Sequence, residues 1–248
     1  MRCRFCNKDK RLTKAHIIPR SLFKPVRGQG KYSIEMRVSK KAVKEKYLQA
    51  GNYDCGILCE ECEREFSPYD AHGHSVFTKV FKEPNIYRDP AGIECAYVLP
   101  DVDFPLLKLF VLGVLWRASV SSLDFFSNVD LGQSHEDTIK SLVSNGTIEG
   151  ADRYQFFCSH QRDNPYSKSI LPPRKRKMDG VNYIQLYLPD IQVVVKVDKR
   201  PLPEIFAPIV IRPNPPHYLV FMPFKGSTED DYFEGMKRAI RDHRWPTK

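Results

Sequence analysis

The chain has 248 residues, of which 42% are hydrophobic and 28% are charged. This length and composition predict one large or two small folded domains and argue against extensive disorder. No apolar run follows a basic start at the N-terminus, and the longest apolar stretch, Leu106–Val120, contains Lys108 and Arg117. We therefore expect no signal peptide, no membrane span and a cytoplasmic location.

Positive charge is concentrated near the start of the chain. Residues 1–50 contain 15 lysines and arginines but three acidic residues, a net charge of +12, whereas the whole chain carries +9. A local basic excess favours a polyanionic partner, most simply nucleic acid, over mere solvation of a small lobe. The residues predicted to contact nucleic acid are Lys14, Arg20, Lys24, Arg27, Lys40 and Lys41.

Two Cys-x-x-Cys pairs, Cys3/Cys6 and Cys59/Cys62, frame this basic segment. In a reducing compartment such pairs more often bind metal than form disulfides. Two intervening residues let both sulfurs of a pair face one ion, and four thiolates suffice to hold Zn²⁺. Redox activity is the alternative, but it would need a βαβ setting that the pattern lacks. We predict a structural zinc site, and we interpret Cys55, Cys95 and Cys158 as small buried hydrophobic residues.

The first 100 residues are predicted to form a lobe and a connector. A zinc knuckle leads into a short strand, 12–18, which ends at Pro19 because proline has no N–H to donate. A basic insertion follows, with one short helix at 40–48. A helix begins within the second cysteine pair, breaks near Pro68, and restarts with Ser67 as its N-cap. The connector is predicted to contain one short strand.

The rest of the chain is predicted to combine helices with an antiparallel sheet. Residues 104–122 are apolar nearly all round, which indicates a buried helix. A second helix, 134–143, opens with capping residues, and a third begins at Ser227 or Thr228. Aromatic and β-branched residues predict strands at 154–158, 183–188, 192–197, 209–212 and 218–222.

Two charged features of this second part need an explanation. The basic run 172–177 is predicted to be an exposed loop. Arg117 lies inside the buried helix, where a guanidinium requires a partner. We expect an ordinary salt bridge between helices or a snorkelling side chain at the helix end. The alternatives are a pair with Asp70 or Asp54 across the lobe boundary and contact with a phosphate.

The N-terminal motifs resemble those of HNH endonucleases, the ββα-metal or His-Me finger group, in their zinc-bearing form. In that group a cysteine pair precedes a strand with a histidine, two further residues and a proline. The matching stretch here is His16-Ile17-Ile18-Pro19. A second pair then opens the closing helix, as Leu58-Cys59-Glu60-Glu61-Cys62 does here. The resemblance covers about residues 1–80.

The resemblance implies roles for two residues. His16 matches the general base that deprotonates water, a task that suits imidazole near neutral pH. A divalent cation, Mg²⁺ or Mn²⁺, would neutralise the scissile phosphate and the leaving oxygen. Asp54 stands where the family usually has an asparagine that orients the base, and its carboxylate would suit either that role or metal binding.

The chain departs from the family pattern at two usual ligand positions, which are Ala15 and Phe66. Either the site is inactive or other residues hold the metal. The substitutes that we consider are Asp54, Asp70 and His74, with His72 as a further candidate. Asp70 would otherwise cap the restarted helix, and Glu63 is either a ligand on the same helix face or a solvated residue.

These observations predict an α+β protein with two parts. Residues 1–83 form a treble-clef-like ββα-metal zinc lobe with a basic insertion at 24–52. Residues 84–100 are a connector. Residues 101–248 form a mixed helical and antiparallel-sheet domain, to which the sequence assigns no role.

Three functions are compatible with this arrangement. The first is a metal-dependent endonuclease acting on DNA, or less readily RNA, in restriction or anti-phage defence by analogy. The second is a non-catalytic zinc-finger protein that binds nucleic acid through a degenerate HNH site. The third is an interaction subunit whose C-terminal domain docks a partner protein or a second copy of the chain.

Overall fold

The computed structural model describes residues 1–23, 33–39, 42–48, 52–165, 167, 170–227 and 230–231. Within these ranges the fold is α+β, as predicted. The helices are α1 (Glu60–Lys82), α2 (Phe104–Val120) and α3 (Gln133–Asn145). None of the described helices is both long enough and apolar enough to cross a bilayer.

Four short strands belong to the N-terminal region. They are β1 (Ala15–His16), β2 (Ser33–Ser39), β3 (Ala42–Leu48) and β4 (Tyr53–Asp54). β1 pairs with β4, and β2 pairs with β3, both antiparallel. The predicted helix at 40–48 is therefore wrong, because β3 forms one arm of a hairpin. Lys40 and Lys41 lie outside the described residues.

Seven strands form the main sheet, in the order β5-β6-β11-β7-β10-β9-β8. Neighbouring strands are antiparallel except β11 and β7, which are parallel. The strands are β5 (Ile86–Arg88), β6 (Glu94–Val98), β7 (Phe156–His160), β8 (Arg174–Met178), β9 (Val181–Leu188), β10 (Ile191–Lys196) and β11 (Tyr218–Phe221). The connector thus supplies two strands to this sheet, where one was predicted.

Two predictions about strands are wrong. The basic run forms β8, not a loop, because Asp179-Gly180 is a two-residue turn with positive φ at both positions, which folds β8 onto β9. Residues 209–212 form no strand, although the Ile211 N–H bonds the Phe156 carbonyl at 3.0 Å. The predicted C-terminal helix lies almost wholly outside the described residues.

Helix α1 is continuous through Pro68, so the predicted break and the Ser67 cap are also wrong. The proline leaves the Arg64 carbonyl without its helical donor. Burial of one helix face outweighs that loss, since Phe66, Val76, Phe77 and Val80 are at most 3% exposed. Tertiary packing decides the conformation here, against the local propensity.

A continuous hydrophobic core joins the cysteine pairs to the sheet. It includes Phe5 beside the cysteines, Phe66 of α1 and Trp116 of α2, and it extends to β7, β9 and β10. Helices α1 and α2 approach closely at Gly73, where an added Cβ would lie 2.5 Å from the Phe110 ring. Helix α2 is buried along nearly its whole length, as its composition predicts.

Candidate metal centre and histidine site

The four paired cysteines converge at one point. One sulfur from each of Cys3, Cys6, Cys59 and Cys62 lies within 4.8 Å of the others, and the Cys6 and Cys59 Sγ atoms are 4.0 Å apart. A tetrahedral ion with Zn–S bonds of about 2.3 Å needs sulfurs roughly 3.8 Å apart. Donor type, number and spacing therefore fit a closed four-thiolate zinc site, in agreement with the sequence prediction.

The backbone around each pair forms a tight knuckle. The Asn7 N–H bonds the Cys3 carbonyl at 2.9 Å, and Asn7 takes a positive φ of 60° that closes the first turn. The Cys59 N–H donates to Cys3 Sγ at 3.4 Å, so a hydrogen bond joins the backbone of the second knuckle to a cysteine sulfur of the first. Helix α1 begins directly after Cys59.

Without an ion, the four cysteine side chains would not all remain deprotonated. Burial raises the pKa of the Cys62 thiol, and the adjacent cysteine sulfurs raise it further. Thiolates this close repel one another unless a cation compensates them, so metal binding would release protons. The donor set therefore suits a soft divalent ion such as Zn²⁺.

His16 lies at the junction of three elements. It is on β1 opposite Tyr53 of β4, and its ring centroid is 6.1 Å from the Tyr53 ring. The backbone N–H of His16 donates to Glu63 Oε1 of α1 at 3.4 Å. Two short strands and one helix, anchored by the cysteines, thus hold this half-buried histidine.

Of the two sequence interpretations of Glu63, the one that made it a solvated residue is wrong. Its Oε2 atom is buried and has no hydrogen-bond partner. Burial raises the pKa of Glu63, while the Arg117 guanidinium and the His16 N–H lower it and Asp70 raises it; the net direction is upward. A buried carboxylate oxygen without a partner is costly, and it is the kind of atom that a cation or a water satisfies.

Asp54 makes four hydrogen bonds within the protein. It accepts from the Gly56 N–H at 2.7 Å, the Ser121 hydroxyl at 3.0 Å, and the Ser122 N–H and hydroxyl at 2.8 and 3.0 Å. Burial alone would raise the pKa of Asp54, but these bonds outweigh it and lower the pKa. The carboxylate thereby ties β4 to the residues that follow α2.

Asp70 forms a two-point ion pair with Arg117. The Arg117 NH1 and NH2 groups donate to the two Asp70 carboxylate oxygens at 2.8 and 2.7 Å. Arg117 is fully buried, and its guanidinium lies 4.8 Å from the Phe66 ring centroid. The ion pair between helices predicted from the sequence is present, with Asp70 as its carboxylate.

The substitute ligands considered for a second metal do not cluster. Among the described residues, the four cysteines are the one group of three or more histidine, cysteine and acidic side chains whose ligand atoms come together. Asp54, Asp70 and His74 form no such group. His72 instead accepts a hydrogen bond from the Asp103 N–H at 3.1 Å, at the start of α2.

The described part of the basic surface lies next to His16. Lys14 Nζ is 5.3 Å from the ring centroid of Tyr53, which is 38% exposed, and Arg20 is exposed beyond Pro19. Lys24, Arg27, Lys40 and Lys41 lie outside the described residues.

Tyr53 is a residue of interest that sequence reasoning missed, and Glu63 is one that it left undecided between a ligand and a solvated residue. A signal for Glu63 was its position directly after Cys62, since the helix start that presents the cysteine also fixes the next side chain. Tyr53 was detectable as an aromatic residue adjacent to the candidate residue Asp54.

Comparison of the chain with models of known protein families, with curated proteins and with solved structures found no match. The likeness to HNH endonucleases therefore depends on the residues of the N-terminal lobe alone.

Proposed function

We propose that the chain is a metal-dependent endonuclease that hydrolyses phosphodiester bonds of nucleic acid, with DNA as the first substrate to test. The observation that carries this proposal is the contact between His16 on β1 and Glu63 at the start of α1. It joins the backbone of the strand that carries the imidazole to a helix residue whose other carboxylate oxygen is buried and has no hydrogen-bond partner. The adjoining basic segment supplies charge for binding a polyanion.

In this proposal His16 accepts a proton from water as the water oxygen attacks phosphorus. The bond between phosphorus and the 3′ oxygen breaks, and the leaving oxygen takes a proton from solvent. A bound Mg²⁺ or Mn²⁺ would offset the negative charge on the phosphate, and Glu63 Oε2 is the donor that fits it best. One carboxylate suits Mg²⁺, which usually retains waters and binds substrate phosphate oxygens.

The first test is nicking of supercoiled plasmid by the purified zinc-loaded protein with Mg²⁺ or Mn²⁺. His16→Ala should lower the rate by about 10²–10⁴-fold, the usual contribution of a general base. His72→Ala is the matched control, because His72 contacts Asp103 and not the site. Equal nicking by the wild type and His16→Ala would overturn the assignment of the base.

A second candidate is a zinc-bearing protein that binds nucleic acid without cutting it. The observation that favours it is the engagement of Asp54 and Asp70 in hydrogen bonds within the protein, together with Ala15 at a usual ligand position. Binding that persists in the absence of divalent cations, with no nicking under any condition, would select this candidate. A role in restriction or anti-phage defence is part of the first proposal by analogy only.

A further inference from the structure

Lys108 on α2 is a buried cation without a carboxylate partner. Its side chain belongs to a residue that is 4% exposed, and its Nζ donates to the Tyr154 carbonyl at 2.6 Å. The rings of Phe156 and Phe104 lie 5.5 and 6.0 Å from the ammonium. Within the described part of the chain, no acidic side chain forms an ion pair with Lys108. Lysine is seldom buried in this way unless it is paired.

A second buried lysine adds to the positive charge of this region. Lys196 is 2% exposed, and its Nζ donates to the backbone carbonyl of Asp198. The Asp198 carboxylate offsets the charge of Lys196 in part, although it pairs directly with Arg200. The pKa of Lys108 is lowered to about 8, with burial as the largest cause, Asp152 opposing it and Lys196 adding to it. Neither lysine forms an ion pair with a carboxylate of the described residues, so this region holds two buried ammonium groups whose charges are only partly compensated.

Lys108 also lines an open cavity of ≈ 370 Å³ between α2 and residues 210–213. This volume is typical of small-molecule sites. One side of the lining is apolar, whereas Arg212 adds a second cation and Asp152 a single exposed carboxylate. The apolar contributors that matter here are Phe104, Ile148, Val210 and Pro213.

We propose that this cavity binds a small aromatic oxyanion. Its phosphate or carboxylate group would meet Lys108 and Arg212, and its ring would lie against Phe104 and the apolar wall. The anion would supply the counter-charge that the protein lacks, which is worth more at a desolvated site than in water. Asp152 limits the site to a ligand with one anionic group.

The test uses the full chain and phenyl phosphate as the probe, with binding measured by calorimetry and by the shift in melting temperature. Benzoate should also bind, orthophosphate should bind more weakly because it lacks a ring, and benzylamine should not bind. Lys108→Met should weaken phenyl phosphate binding at least about tenfold, a change of ~1.4 kcal/mol. Lys175→Met, which removes an exposed lysine from β8, is the control and should change nothing.

Two results would overturn the proposal. One is the absence of any response to phenyl phosphate and benzoate, and the other is equal binding by the wild type and Lys108→Met. If Lys108→Met does not fold, the exposed Arg212→Met replaces it and should also weaken phenyl phosphate binding. Equal binding by the wild type and Arg212→Met would then contradict the proposal. Neither outcome depends on nuclease activity.

Discussion

The Arg117 guanidinium meets both carboxylate oxygens of Asp70, at 2.8 and 2.7 Å, across the interface between α2 and α1. Arg117 is fully buried, and the Asp70 carboxylate compensates its positive charge inside the core. Removing one partner of a buried pair leaves an uncompensated charge, which costs far more than the intact pair contributes.

We therefore expect Asp70→Asn to lower the free energy of unfolding by about 3 kcal/mol. Chemical denaturation followed by circular dichroism measures this loss. Asp137→Asn, an exposed change on α3, is the control and should be nearly neutral. If Asp70→Asn instead keeps full stability and loses only a divalent cation, the structural role given to Asp70 is wrong.

Metal analysis tests the cysteine site directly. The purified chain should contain one Zn²⁺, and Cys62→Ser should lose it and melt at a much lower temperature, because metal binding and folding are coupled. Cys55→Ser should retain zinc and stability, since Cys55 is exposed and outside the cluster. Full zinc occupancy in Cys62→Ser would contradict the four-thiolate arrangement.

Glu63→Gln should stabilise the protein at neutral pH by about 1 kcal/mol, because the amide removes a poorly compensated buried charge. The pKa of Glu63 is raised in the folded protein. Protonated Glu63 therefore contributes stability that is fully present below the unfolded pKa of about 4.3. This stability is lost as the pH rises through the folded pKa. The gain from Glu63→Gln should therefore vanish in acid.

Denaturation curves at several pH values measure this effect, with Glu65→Gln on the exposed side of α1 as the control. Under the proposed function, Glu63→Gln should also reduce nicking while it raises stability. A variant that is less stable at neutral pH would show that Arg117 needs the Glu63 charge.

Tyr53 offers an exposed ring beside His16 on which a nucleobase can stack. Replacing it with alanine should weaken binding of single-stranded DNA by about 1–3 kcal/mol, whereas Tyr53→Phe should bind normally. Fluorescence anisotropy with His16→Ala as the background avoids cleavage during the measurement. Tyr87→Ala removes a similarly exposed ring from β5 and should have no effect. Equal losses in both alanine variants would argue against stacking at Tyr53.

Pro68→Ala should restore the donor that the Arg64 carbonyl lacks within α1. Since Pro68 is exposed and the helix is already continuous, the change should add about 1–3 kcal/mol to the free energy of unfolding. Thermal unfolding with Ser67→Ala as the control measures it. A destabilised Pro68→Ala would mean that the helix requires the bend imposed by proline.

Spacing and composition were enough to predict the metal site and the buried helix. The two cysteine pairs have a spacing that suits one common ion, and α2 is apolar on every side. The hairpin of β8 and β9 was predictable too, because Asp179-Gly180 is a strong turn signal, but the surrounding lysines and arginines resembled a loop.

Other features depend on contacts that no local pattern encodes. The continuity of α1 through Pro68 arises from burial of Phe66 and Val76 against the core. Ser121 and Ser122, which donate to Asp54, lie beyond α2 and 67 or more residues along the chain, and only the folded chain brings them together. The position of Glu63 directly after Cys62 indicates that it lies near the site, but its burial depends on contacts with distant residues such as Arg117.

The Ile17 N–H bonds the Asn52 carbonyl at 3.0 Å, so the chain before and after the basic insertion meets at one point. The cysteines, His16 and Glu63 lie outside the insertion, and the core residues Ile18 and Leu22 precede it. Exchanging residues 24–51 for another segment, or for a short turn, should cost mainly loop-closure entropy, which changes slowly with length. The insertion can therefore differ in length or sequence while the cysteines and His16 keep their positions.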